Sequence, residues 1–195
     1  SVQVVGDSVR QFQLGESGEA QNLKSKIARY VQKGGDRAYQ DAMEWFIFEE
    51  NRHARLLGRF MALEDIPKVT SHFSDKLFRF VRHGVGLRHA ITILLSAELI
   101  AVPYYTALSQ ATHSPILTTI CKQILLDEAN HIRFQAKAIR TLLEGRGALR
   151  RRAAYAFARL LMEPALDMVW FNHARLFRAA GWSFKAMRRA SMAQF

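Results

Sequence analysis

Glu50 and His53, and again Glu128 and His131, stand three residues apart in stretches that read as long helices. That spacing sets a carboxylate and an imidazole on one helix face, one above the other. Together they form a donor pair suited to iron or manganese. With ten Glu and seven His in the chain, chance placement gives roughly 0.4 such pairs. The surroundings of the two pairs match as well. The first reads Phe48-Glu49-Glu50-Asn51-Arg52-His53-Ala54-Arg55 and the second Leu126-Asp127-Glu128-Ala129-Asn130-His131-Ile132-Arg133, a repeat at an offset of 78. A second match, Ser17-Gly18-Glu19-Ala20 with Ser96-Ala97-Glu98-Leu99 at an offset of 79, adds a carboxylate to each half. The repeat therefore predicts four carboxylates and two histidines.

These residues must be carried by long helices. Alanine, leucine, arginine and glutamine are plentiful, four prolines interrupt the chain, and no alternating β-branched run occurs, so the fold class is all-α. Helix 1 is expected from about Ser8 to Lys33, capped by Asp7 or Ser8 and ended by Gly34-Gly35; Asp36 caps a second helix that runs to about Glu64. Pro67 opens a connector to about Gly86 that holds one short helix, Asp75 to His83. A third helix covers Leu87 to Ala111, and a fourth follows Ser114-Pro115 and ends near Gly145. The remainder, about Ala148 to Ala180, reads as a helix containing Pro164, followed by Gly181 and a short helix capped by Ser183. Two antiparallel hairpins joined by one long crossover result, with a domain at 1–145 and a basic, aromatic helical extension at 146–195.

Equal height in a hairpin means similar distance from its turn. Glu19 to Glu50 is 31 residues and Glu98 to Glu128 is 30, whereas Glu16 would make the first distance 34. Glu19 is therefore expected on helix 1, with Glu16, one turn away on the same face, as the alternative. The stripes that should face inward contain these same residues: Phe46, Glu50, His53 and Leu57; Ile91, Leu94, Glu98 and Tyr105; Cys121, Ile124, Glu128, His131 and Gln135. Ionised carboxylates gathered in a core are costly unless cations neutralise them. Tyr105, two turns past Glu98, can support the site or simply fill the core, and a buried structural role is expected of Cys121.

With those six positions the sequence resembles the ferritin-like di-iron carboxylate superfamily, in which two helices each give a Glu and two others each give Glu-x-x-His. The two pairs look like bacterioferritin, rubrerythrin and the di-iron oxygenases, and the nearest likeness is to uncharacterised bacterial ferritin-like proteins. The resemblance spans about residues 8–144 and implies a four-helix bundle holding two iron ions, with manganese as the alternative. Glu50 and Glu128 would bridge the ions, His53 and His131 would each bind one, and Glu19 and Glu98 would be terminal ligands. Asp127 resembles the acid that orients a ligand histidine in such sites. Three functions follow: an oxidoreductase using O2 or peroxide, with a separate electron donor; an iron-handling ferroxidase or storage subunit; or a hydroxylase or desaturase acting on a bound acidic partner such as tRNA or a carrier protein.

Composition narrows the setting. One cysteine excludes an intrachain disulfide framework and a cysteine-ligated cluster, and fits a reducing cytoplasm. The N-terminal residues carry charges and glutamines where a signal peptide would be apolar. The most apolar stretch, 90–105, is shorter than a membrane span and carries Glu98, so no transmembrane segment is expected. Residues 146–195 hold nine Arg and one Lys against Glu163 and Asp167, a net charge of +8 out of +11 for the chain. Such an imbalance fits an acidic partner as well as a solvated surface. The long extension is unlike that of a cage, so a dimer is expected in preference to a shell.

Overall fold

The computed structural model describes residues 2–16, 20–69 and 85–193. Among them are seven α-helices and no strand: α1 (Val2–Glu16), α2 (Ala20–Gln32), α3 (Arg37–Leu63), α4 (Leu87–Ala111), α5 (Pro115–Leu142), α6 (Ala148–Ala179) and α7 (Phe184–Met192). Glu19 and the short helix expected at 75–83 lie outside the described residues. The chain divides into two compact units, residues 9–90 and residues 1–8 with 91–195.

In the unit formed by residues 9–90, α2 packs on α3. Gly34, at a φ of 87°, takes the left-handed conformation that ends α2. Two residues later the Asp36 side chain accepts a hydrogen bond from the Ala38 amide at 2.9 Å and starts α3. Tyr30 and Tyr39 meet edge to face across this turn, 5.9 Å between centroids. Leu23 and Ile27 of α2 and Met43, Phe46, Leu57, Phe60 and Met61 of α3 are buried. Their spacing of three and four residues is that of a helix with one core-facing stripe.

The other unit contains most of α4 with α5, α6 and α7. Ser114 caps α5 by accepting from the Leu117 amide, with Pro115 in the first turn. α6 continues through Pro164 to Ala179. Gly181, at a φ of 80°, turns the chain, and Ser183 caps α7 by accepting from the Ala186 amide. α7 packs on α6, where Trp170 stacks on Phe177 at 5.7 Å and Arg188 grips Glu163 with two hydrogen bonds of 3.0 and 2.5 Å. The guanidinium holds the Glu163 carboxyl below its ordinary range. The stretch 148–193 thus shares a unit with 91–145.

Two features depart from local sequence signals. The first helix begins at Val2, ahead of the start expected at Ser8; α1 and α2 cover the stretch expected as one helix to about Lys33, and residues 17–19 between them lie outside the described residues. Ser8 is no cap: it lies inside α1, buried, with its hydroxyl 3.1 Å from the Tyr104 hydroxyl and 2.8 Å from His173 Nδ1. A short polar side chain that finds buried partners gains more there than as an exposed cap. α4 is long and apolar enough, by length and composition alone, to cross a membrane, but most of that stretch is buried inside the protein. It is a core helix carrying a buried carboxylate, Glu98.

Candidate metal centre

Each unit gathers one cluster of carboxylates around a histidine. In the unit of residues 9–90, α1 ends on Glu16, and α3 contributes Glu50 and His53. Their donor atoms all lie within 4.8 Å of one another. His53 Nδ1 is 3.5 Å from a Glu50 oxygen and 3.8 Å from a Glu16 oxygen. The imidazole is wholly buried, and the Glu16 and Glu50 side chains are 6% and 22% exposed. Burial by itself lowers the His53 pKa. The carboxylates of Glu16 and Glu50 more than reverse this and hold it at about 10.

The other cluster repeats the chemistry. Glu98 of α4 and Glu128 and His131 of α5 also bring donor atoms within 4.8 Å of one another. His131 Nδ1 stands 3.7 Å from an oxygen of each carboxylate, and all three residues are buried. The Gln135 amide, one turn past His131, donates to the second Glu98 oxygen at 3.2 Å and fixes that carboxylate's orientation.

The spacings indicate what these clusters can hold. Separations of 3.5–3.8 Å between imidazole nitrogen and carboxylate oxygen exceed the ideal 2.7–2.9 Å of a charge-assisted hydrogen bond. Donors that share a cation at about 2.1 Å sit about 3–4 Å apart. Two acids and one imidazole also supply a net charge of −2 when the imidazole is neutral, which a divalent ion cancels. The buried Glu/His clusters can therefore hold a metal ion.

Of the residues expected from sequence, Glu50 with His53 and Glu98 with Glu128 and His131 come together in these clusters. The helix 1 carboxylate beside His53 is Glu16, the alternative on that helix; Glu19 is outside the described residues. Asp127 is buried and accepts a hydrogen bond from Gln123 at 3.0 Å. Tyr105 is fully buried, its ring edge-to-face with Tyr104 at 5.2 Å. Burial pushes the Cys121 thiol up to about 12, so it is an inert core residue. Gln135 stands on the inward stripe of the sequence with Glu128 and His131, though nothing local marks its bond to Glu98; His173, which finds Ser8 across 165 residues of sequence, had no distinguishing signal.

The fold and the clusters define a class: an all-helical protein with buried carboxylate and histidine groups able to bind a metal ion. Compared with known proteins, the chain matches no family model, no curated protein and no solved structure.

Proposed function

We propose that this chain is a two-metal carboxylate protein, one ion per cluster, loaded with iron and acting as an oxidoreductase on O2 or peroxide. The observation that carries the reading is the duplication: two groups, each of two glutamates and a histidine, in which Glu50 with His53 and Glu128 with His131 hold matching places in a sequence repeat. The donor set suits iron or manganese, and the resemblance to the ferritin-like superfamily favours iron, a four-helix bundle and ions that act as a pair. Glu16, Glu50 and His53 would hold one ion, and Glu98, Glu128 and His131 the other. With iron bound, the two clusters would supply the electrons for reduction of O2 or peroxide, and a separate donor would return them.

The protein's own part is preparation. His53 is protonated at neutral pH while its cluster lacks an ion, so loading must displace that proton from Nδ1. Gln135 holds one oxygen of Glu98 and leaves the other toward His131. Burial keeps water from competing for these donors and strengthens their interaction with a cation.

Elemental analysis of protein loaded anaerobically with Fe(II) is the direct test. Two irons per chain are expected in the wild type, about one in a variant lacking either histidine, His53→Ala or His131→Ala, and O2 uptake on exposure to air. Wild-type protein that takes up no metal would overturn the reading. A specific observation, the exposed arginines at the start of α6, favours a substrate or carrier with negative charge over a storage role. A small assembly such as a dimer accords with this, whereas a storage function would require a shell, visible by light scattering.

A further inference from the structure

The first turns of α6 are unusual for a helix of a folded domain, since every residue from 144 to 153 is exposed. Beyond them the outward face continues. Leu149 and Leu160 are 80% and 73% exposed, with exposed Ala153 and Ala156 between them. The steps 149–153–156–160 are four, three and four residues, the spacing of a seam that receives a second helix. The inward face of this segment is separate, with Ala158 and Met162 buried. On either side of the seam, three of the four flanking positions, Arg150, Arg152 and Arg159, carry an exposed guanidinium; the fourth is Phe157. Residues 146–159 contain five arginines and no acid.

We propose that this seam is the docking site for an acidic amphipathic helix of a partner protein, apolar at the same three-and-four spacing and carrying Glu or Asp at the flanking positions. Charge decides among occupants. A second copy laid antiparallel on the seam would set Arg152 against Arg159 and bring two arginine-rich segments together without a counter-charge, which opposes pairing. A lipid bilayer would have to accept the same face beyond Leu160, where Asp167 is exposed in line with Leu149 before the apolar Phe171. A nucleic acid would engage the arginines but has no use for leucines at helix-packing intervals. The seam extends about 16 Å along α6, so the contact is small and the partner a transient one.

The test uses the intact chain and a fluorescent synthetic peptide of three heptads with Leu at the seam positions and Glu at the flanks. A scrambled peptide of identical composition and charge is the control. Anisotropy should show binding of the heptad peptide at least tenfold tighter than the scrambled one. The double variant Arg152→Glu, Arg159→Glu should lose at least tenfold for that peptide and gain a Lys-flanked version, a reversal that loss of folding cannot produce. Equal binding of the scrambled peptide would overturn the proposal. So would tighter binding of oligouridylate or phosphatidylserine vesicles at the same ionic strength, or a dimer in sedimentation velocity that Leu160→Asp dissociates.

Discussion

Replacing Glu128 by Gln separates a metal ligand from a structural acid, because the two roles predict opposite signs. In the metal-free protein Glu98 and Glu128 place carboxylate oxygens within 4.8 Å of each other, and the Glu128 residue is 1% exposed. At an effective dielectric of about 20, two charges at that distance repel by roughly 3.5 kcal/mol. The His131 ring, 3.7 Å from an oxygen of each, returns an attraction of similar size whenever it carries a proton. What remains is the cost of burying Glu128 as an ion, several kcal/mol. Gln keeps the shape and removes that cost, so metal-free Glu128→Gln should be more stable than wild type by on the order of 1–3 kcal/mol, or about 3–10 °C in Tm for a chain of this size. Metal reverses the order. At a thousand times its Kd an ion adds about 4 kcal/mol to the wild type and little to the variant, which lacks a ligand. Differential scanning calorimetry with and without Mn(II), or Fe(II) under argon, reads both numbers. A metal-free variant that melts well below wild type, with no metal shift in either protein, would show that Glu128 is structural and refute the reasoning.

Loading should also release protons. His53 is held at about 10 without metal, so uptake at pH 7 should free about one proton at that cluster, readable with a pH indicator in weak buffer and absent in His53→Ala. The same group sets a pH dependence for the metal-free fold. With its folded pKa raised above the unfolded value of about 6.5, its contribution is complete below pH 6.5 and is lost as pH rises through about 10. Urea titrations across that range should show stability falling, and less steeply in His53→Gln. Removing the Ser8 hydroxyl should leave Tyr104 and His173 short of a buried partner; Ser8→Ala should cost about 1–3 kcal/mol in thermal unfolding. Cys121 should resist a thiol reagent in the native state at pH 8 and react at once in denaturant, since burial pushes its pKa up to about 12.

Much of this protein is written in short-range signals. Asp36, Ser114 and Ser183 cap helices because each carries a side-chain oxygen one residue before a run of helix formers, and Gly34 and Gly181 end them by accepting a positive φ. The pairing of Glu50 with His53 and of Glu128 with His131 is equally local, since three residues of helix geometry suffice. Tertiary structure decided what depends on where a helix begins or stops and on what meets it. Distance from the hairpin turn favoured Glu19, which lies outside the described residues, and the fold brings Glu16, the alternative, to 3.8 Å from His53. Ser8 has every local mark of a cap, yet partners 96 and 165 residues away claim its hydroxyl. The leucines of α6 look like any others in a helix, and only the packed fold shows that Leu149 and Leu160 face outward. Caps and same-face pairs involve neighbours whose geometry one helix turn dictates, whereas burial and long-range partners exist only once the chain has chosen which surfaces to remove from water.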